Sequence, residues 1–408
     1  LAAISIQGRQ DAASLIKSFT GSHRFILDYL IEEVLERQPQ SVQTFLLQTS
    51  VLDRLNGSLC DAVCCEPSPE NSQAALEQLE RANLFVVPLD DELQWSRYHH
   101  LFEDLLRQQL RLTQPDWIPE LHRRASGWYI QHGFTDQAIE HSLRAEEFEQ
   151  VGNLIEEHFD AMFKRGEQSK LRRWLSELPV ELVYSKPNLC IFYSWNLFSS
   201  GQLDPAERSI TAAEKMLDRS AARRTETSSL EQGQLTDTEK ITLRGKAGAI
   251  RAFIAAYRGD VEGTIQHGRQ ALLNLPDQEL TWRNAAAIAL GDAYDIKGDM
   301  AAAYKNRIEA AHMSKATGDI YLIMTSNLKV AAILRIQGQL QQVLEICGQQ
   351  FQRAKSNRMS QSVVAGWLLA LWGETLAELN NLDEALNMAE KGTELTRNSR
   401  DVAMIGWS

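Results

Sequence analysis

A short signature that repeats along the second half of the chain constrains its fold more than any other sequence feature. Each copy joins the apolar end of one helix to Gly or Asn, a polar residue, an apolar residue and a new helix. Gly ends a helix in the left-handed conformation without steric cost, and Asn is the next-best residue there. From Gly259 the copies follow at steps of 39, 40 and 43 residues, a spacing typical of stacked helix pairs. The copies contain Gly201, Gly259, Gly298, Gly338 and Asn381 (in the motif Asn380-Asn381-Leu382-Asp383).

The first step of this series, from Gly201 to Gly259, is 58 residues and is longer than the others. The excess falls near residues 219–240, which are rich in Ser, Thr, Gln and Glu and contain few large apolar residues. This composition predicts a polar insertion, either a solvated loop or a frayed helical extension between paired helices.

Helix pairs are also predicted upstream of the regular series. Gly133 is followed by a helical pattern, as in the later copies, and Pro179 should end the helix before it. We therefore predict a right-handed, TPR-like α-solenoid over residues 117–408, with a groove lined by the first helix of each pair.

The first 116 residues have a different pattern. Helical periodicity covers residues 26–35, 41–48 and 72–82, and two β-rich runs then flank an acidic turn within residues 83–98. Helices followed by a hairpin and a further helix are the winged-helix arrangement, which we assign to residues 37–116. The fold class predicted is thus mostly α, a small winged-helix domain followed by the solenoid.

Charge and composition exclude several classes of protein. The net charge of −12 disfavours binding of this stretch to DNA or RNA, because it repels the phosphate backbone. No apolar run is long enough for a membrane span. The five cysteines are scattered, which favours a reducing, cytoplasmic compartment, and Cys60, Cys64 and Cys65 lack the spacing and nearby histidine of a zinc site. Since the chain starts at Leu1 and stops within a helical pattern, we interpret it as a fragment.

Several segments together resemble a known family. They match, in order and spacing, the large ATP-binding regulators of the LuxR family, which includes the bacterial activator of maltose genes. The match is dense to about residue 180 and generic beyond it. Its segments are residues 19–30, 45–53, 76–85, 97–102, 121–126 and 138–143.

The resemblance implies an architecture and a mode of action. It implies a nucleotide-binding module of the STAND class, a winged helix, a helical-repeat sensor and a C-terminal helix-turn-helix. Residues 1–36 would be the tail of the nucleotide module. Inducer would bind the repeats, ATP would replace ADP, and the full-length protein would self-associate. This sequence lacks a GxxxxGK[ST] loop and a terminal DNA-binding domain, so ATP or ADP and DNA are implied only for the full-length protein.

His99 and His100 are the candidate nucleotide-sensing residues. In related STAND proteins a winged-helix histidine reaches the ADP β-phosphate, and these two histidines lie where the hairpin ends and a helix begins. The alternative is structural: one histidine packs in the core while the other caps the helix.

Aromatic residues on the repeat helices are the candidates for the groove. Rings in a groove can stack on sugars, nucleobases or peptide side chains, but at helical spacing they more often form the core between repeats. The groove candidates are Tyr193, Trp195, Tyr257, Trp282, Tyr294, Trp367 and Trp372, from a wider set that adds Trp174 and Phe253.

No catalytic or metal-binding pattern is found in the sequence. His122 and His141 lie on amphipathic helices and are expected to be structural or exposed. The sequence thus predicts a non-enzymatic, signal-sensing fragment of a transcription activator, whose repeat groove binds a small-molecule inducer or a protein partner. The alternative is a stand-alone TPR-like scaffold with no role in gene control.

Overall fold

The computed structural model describes residues 30–64, 71–82, 84–89, 95–164, 167–223 and 235–397. The chain forms two compact units, Leu1–Val151 and Gly152–Ser408, and almost all regular structure in both is helical. The predicted mostly α fold is confirmed. The structure contains no helix that is both long and apolar enough to cross a membrane, among the residues it describes.

The first unit begins with a winged helix. A π-helical turn at Leu30–Leu35 precedes three helices, a two-stranded sheet and a fourth helix, and a helical hairpin follows. The sequence predicted the first and third of these three helices and the sheet, but not the second, which is only seven residues long. The elements are α1 (Gln40–Thr49), α2 (Gly57–Val63), α3 (Ser72–Arg81), β1 (Val86–Pro88), β2 (Ser96–Tyr98), α4 (His100–Thr113), a 3₁₀ turn (Pro115–Trp117), α5 (Ile118–Gln131) and α6 (Thr135–Arg144).

The antiparallel hairpin holds the winged helix together through its second strand. Val86 pairs with Tyr98, and Ser96 forms an additional bridge with Leu55 between α1 and α2. The Tyr98 ring is buried, and its hydroxyl lies 2.7 Å from the Thr49 hydroxyl at the end of α1. A buried phenol needs a hydrogen-bonding partner, so this contact fixes α1 against β2.

The second unit is a series of antiparallel helix pairs. Apart from the short α9, its helices are 10 to 21 residues long. The elements are α7 (Phe148–Lys164, which crosses the unit boundary), α8 (Gln168–Glu177), α9 (Val180–Val183), α10 (Pro187–Ser199), α11 (Leu203–Arg223), α12 (Asp237–Tyr257), α13 (Val261–Asn274), α14 (Leu280–Ile296), α15 (Met300–Thr317), α16 (Ile320–Ile336), α17 (Leu340–Ser356), α18 (Val363–Glu378) and α19 (Leu382–Arg397).

The glycines of the repeated signature end helices as predicted. Gly201, Gly259, Gly298 and Gly338 all have φ between 73° and 83°. The last copy differs from the prediction by one residue, because Asn380 takes the left-handed conformation with φ 61°. Asn381 instead precedes the first residue of α19, and its side chain donates to Glu384.

The polar insertion lies partly inside helices. Helix α11 continues to Arg223, and α12 begins at Asp237, so both ends of the predicted segment are helical. Thr236 and Glu239 form a capping box that fixes the start of α12. Residues 224–234, the middle of the insertion, lie outside the described residues.

Candidate functional site

The two nucleotide-sensing candidates lie at the start of α4. His99 precedes the first residue of the helix, and its backbone N–H donates to the Phe85 carbonyl at 2.7 Å. His100 is exposed, and the two rings are 4.4 Å apart. Partial burial lowers the pKa of His99, and the neighbouring His100 lowers it further. The His99 Nδ1 atom is buried without a hydrogen-bond partner. A phosphate role for these residues stays a prediction.

The groove candidates differ widely in exposure. Tyr257 is 43% exposed, and Tyr193, Trp195 and Trp372 are half-buried. The other three candidate rings are buried, with exposures of 3 to 8%. These three are Trp282, Tyr294 and Trp367, and Trp174 of the wider set is also buried.

Five rings from three first helices form one connected surface, which we call the aromatic platform. The Trp195 ring of α10 lies 5.6 to 5.8 Å from the rings of Phe198, Phe253 and Trp282. Phe198 also meets Tyr257 edge-to-face at 5.1 Å. Phe198 and Phe253 are half-buried and Tyr257 is 43% exposed, so part of the platform is accessible to solvent. Sequence reasoning omitted Phe198, because contacts between α10 and α12 join residues more than 50 positions apart.

A buried lysine lies beside the aromatic platform. Lys246 of α12 is 7% exposed, and its ammonium lies 3.2 Å from Glu279 and 3.9 Å from Asp160. The same ammonium is 5.7 Å from the centre of the Trp282 ring, within the range of a cation–π contact. Burying this charge is tolerable because two carboxylates and an aromatic ring replace water. We call these four residues the lysine cluster.

Two polar atoms of the lysine cluster are buried without a hydrogen-bond partner. They are Oδ1 of Asp160, an acceptor, and Nε1 of Trp282, a donor. Leaving such atoms unpaired costs roughly 1–3 kcal/mol each, so they are candidates to bind a ligand or an ordered water. No sequence pattern marks these residues, since Asp160, Lys246 and Trp282 come from three separate helices.

A second feature of the first helices is a row of exposed apolar residues. Tyr257, Ile296 and Ile336 each lie two positions before a helix-ending glycine and are 43%, 69% and 64% exposed. Three consecutive helix pairs therefore present an apolar side chain at the same position. Exposed apolar residues that recur in this way can mark an interaction surface.

In the first unit, α5 and α6 bring two histidines into direct contact. Nδ1 of His122 lies 2.9 Å from Nδ1 of His141, and both side chains are buried. Burial lowers the pKa of His122 to about 4. Burial, followed by the charge of His122, lowers the pKa of His141 to about 3. Both rings are thus neutral at pH 7, and a single proton is shared in the contact. Of the two sequence expectations, structural or exposed, the structure supports the first.

Comparisons with known proteins agree with the two regions described above. A family model described as the MalT winged helix domain matches residues 31–118, and one described as the MalT-like TPR region matches residues 245–406. The chain is MalT-like in both regions. The MalT-like winged helix contains His99 and His100. The MalT-like TPR region contains part of the aromatic platform and part of the lysine cluster.

Curated relatives extend this similarity over most of the chain. An HTH-type transcriptional regulator MalT from Yersinia pestis (strain Pestoides F) is 28% identical over 389 residues, which make up 95% of this chain and 41% of that protein. One from Serratia proteamaculans (strain 568) is 27% identical with the same coverage. The chain thus spans about two fifths of the length of these relatives.

A solved structure shares the fold. It is a Signal Transduction ATPase with Numerous Domains (STAND) protein with a tetratricopeptide repeat sensor, from Pyrococcus horikoshii. The TM-score is 0.51 at 14% sequence identity, and the match covers 98% of this chain and 65% of that chain. At this identity the likeness concerns the fold alone.

Proposed function

We propose that the chain is the signal-sensing part of a MalT-type transcription regulator and that the aromatic platform forms its ligand site. The observation that carries the proposal is the position of this platform on the first helices, beside a lysine cluster with unpaired polar atoms. The regulatory role is supported by relatives that are named transcriptional regulators. They give no support for an enzyme, and we propose no catalytic role.

The chemistry of the site favours a small polar molecule with a flat or apolar face. Half-buried Trp195 and Phe253 offer rings for stacking. The unpaired Asp160 Oδ1 would accept a hydrogen bond, and Trp282 Nε1 would donate one. A ligand with hydroxyl or amide groups beside an apolar face satisfies both demands, whereas an anion would meet Asp160 and Glu279 together.

Nucleotide and DNA binding belong to the proposal for the full-length protein only. In that protein, ATP or ADP would bind a separate module, His99 or His100 would contact phosphate, and DNA would be bound by a separate domain. The exposed imidazole of His100 and the unpaired Nδ1 of His99 are compatible with such a contact.

The test is a thermal-shift screen of the chain against sugars, nucleotides, amino-acid derivatives and short peptides. A ligand at 100 times its Kd adds about 2.7 kcal/mol to the free energy of unfolding, a readily measured shift. Phe253→Ala and Tyr257→Ala should weaken binding of any compound that produces a shift. Tyr304→Ala is the matched control, because Tyr304 lies on the second helix α15 with a similar exposure of 38%. Equal effects of all three variants would exclude the platform as the site.

A protein partner is the second candidate function, and the apolar row favours it. Tyr257, Ile296 and Ile336 would bind a partner segment that runs across three helix pairs. Ile296→Ser and Ile336→Ser should then abolish partner binding while leaving small-molecule binding at the aromatic platform unchanged. If these variants lose partner binding and the screen finds no small-molecule ligand, the scaffold alternative would be supported.

A further inference from the structure

The aromatic platform and the lysine cluster share Trp282, so an apolar surface and a polar one meet at this residue. The Trp282 ring is 3% exposed and lies nearly perpendicular to the Trp195 ring, at 79° with ring centres 5.6 Å apart. Its other neighbours include the Phe159 ring at 6.4 Å and the Lys246 ammonium at 5.7 Å. These contacts hold the indole in place and therefore set the direction of its N–H group.

The lysine cluster offers hydrogen-bond donors of two kinds. One is Nε1 of Trp282, a buried N–H without a hydrogen-bond partner. The other is the Lys246 ammonium, which carries three N–H groups. Glu279 at 3.2 Å can accept one of them, whereas Asp160 at 3.9 Å is too distant for a hydrogen bond. The ammonium can therefore donate to a further acceptor beside the indole.

Asp160 supplies an acceptor and a route from solvent. Its Oδ1 atom is buried without a hydrogen-bond partner, although the side chain as a whole is 45% exposed. The cluster therefore reaches the surface at this residue, while the unpaired oxygen faces inward. An ordered water can occupy such a position, and a ligand that makes the same hydrogen bonds can displace it.

The charges of the cluster favour a neutral ligand. An anion would lie close to the carboxylates of Asp160 and Glu279, and a cation would lie close to the Lys246 ammonium. A neutral group must then both accept and donate hydrogen bonds. A carboxamide does so from neighbouring atoms in one plane, through its carbonyl oxygen and its N–H. Attached to an aromatic ring, it also has a flat face for stacking.

We propose that the aromatic platform and the lysine cluster together bind a planar aromatic amide, either a ring carboxamide or a lactam. Its carbonyl oxygen would accept from Trp282 Nε1 and the Lys246 ammonium, and its N–H would donate to Asp160 Oδ1. Its ring would stack on half-buried Trp195 or Phe253. This inference rests on the function proposed above, because it names the ligand class of the same site.

The test is a titration of the ¹⁵N-labelled chain with benzamide, followed by NMR through the indole N–H resonances of the tryptophans. Trp282→Phe assigns the resonance of interest, because it removes one of nine indole signals. We expect a saturable downfield shift of the Trp282 resonance, since its proton gains an acceptor. An unchanged Trp282 resonance at saturating benzamide would overturn the inference.

Three further ligands separate the parts of the proposed contact. Methyl benzoate has the ring and the carbonyl but no N–H, and sodium benzoate is an anion. Both should bind at least about tenfold more weakly than benzamide. Cyclohexanecarboxamide keeps the amide but lacks the aromatic face, and should bind at least about threefold more weakly. Equal affinities of benzamide and methyl benzoate would contradict the hydrogen bond to Asp160.

Variants then locate the acceptor. Asp160→Leu keeps a side chain of similar size and should weaken benzamide at least about tenfold, but methyl benzoate less than about twofold. Asp218→Leu is the matched control, because Asp218 also pairs with a basic residue of α12, Arg244 at 2.6 Å, but lies outside the cluster. Equal losses in the two variants would overturn the inference. The ligand comparison uses the original chain, so it remains decisive if Asp160→Leu does not fold.

Failure of this inference is distinguishable from failure of the proposed function. A sugar or other ligand without an amide group that shifts the Trp282 resonance, when benzamide does not, would overturn the inference and support the proposed site. If neither benzamide nor any screened compound shifts an indole resonance, both the inference and the small-molecule site are wrong.

Discussion

The buried contact between His122 and His141 is the most unusual arrangement at the residue scale. Two nitrogens 2.9 Å apart require one ring to donate its Nδ1 proton and the other to accept it, so the rings are opposite tautomers. Nearby, the Ser126 hydroxyl lies 2.7 Å from that of Ser142, so two polar pairs join α5 to α6. Buried polar pairs of this kind fix the register of two helices, provided that both members stay neutral.

This arrangement predicts that the first unit loses stability in mild acid. The folded pKa values of about 4 for His122 and about 3 for His141 lie below the value of about 6.5 in the unfolded chain. Their contribution is therefore complete above pH 6.5 and is lost as the pH falls through 5 and 4. Between pH 7 and pH 5 the free energy of unfolding should fall by up to about 2 kcal/mol for each histidine.

Urea unfolding at pH 7 and pH 5 measures this effect. The double variant His122→Leu with His141→Leu, which fills similar space without titrating, should have a smaller pH dependence than the original chain. An unchanged difference between the two pH values in the variant would assign the acid sensitivity to other groups.

At the scale of the element, close approach of helix backbones determines how the last pair packs. A Cβ added at Gly392 of α19 would lie 2.7 Å from the Gly366 carbonyl oxygen of α18. One added at Gly366 would lie 2.9 Å from the Gly392 carbonyl oxygen. The neighbouring atoms are backbone and cannot rotate away, so glycine at these two positions sets the distance between α18 and α19.

Gly392→Ala should therefore destabilise the second unit by roughly 1–3 kcal/mol, the usual cost of overpacking. Gly348→Ala, within α17, is the matched control, because its Cβ would meet only Trp372 at 3.7 Å, an ordinary contact. The control should be neutral or stabilise by up to about 1 kcal/mol, since alanine favours helix. Thermal unfolding of both variants measures the difference, and a stable Gly392→Ala would contradict the packing argument.

At the scale of the whole molecule, the negative net charge disfavours nucleic-acid binding by this chain. The chain carries 54 acidic and 42 basic residues, and many basic side chains pair with carboxylates. Arg251, for example, contacts both Glu207 and Glu214, and Arg335 contacts both Glu374 and Glu378. The net field around the chain is therefore repulsive to phosphate.

We expect no saturable binding of duplex DNA by this chain below about 100 µM at physiological salt. Fluorescence anisotropy of a labelled duplex measures this, with a basic DNA-binding domain as positive control. Binding that weakens steeply with added salt would show a basic surface that the sequence does not predict.

Local chemistry made much of the architecture predictable from the sequence. Gly259, Gly298 and Gly338 end helices because few other residues adopt positive φ without cost, so the repeat length could be read directly. The β-rich runs around the acidic turn likewise located the hairpin and the start of α4. The sequence prediction placed the last helix-ending residue one position too late. Two asparagines are adjacent there, and either can adopt the left-handed conformation.

The sites depended on the tertiary structure, because their residues come together only when distant helices pack. In the sequence, Lys246 is an ordinary helical lysine. In the structure, Asp160, Glu279 and Trp282 surround it. His122 and His141 look like two unrelated histidines until the α5–α6 hairpin excludes water from both. The sequence by itself determined where helices begin and end, since capping and periodicity are local. The tertiary structure decided which polar atoms are buried, because burial depends on neighbours that sequence distance does not reveal.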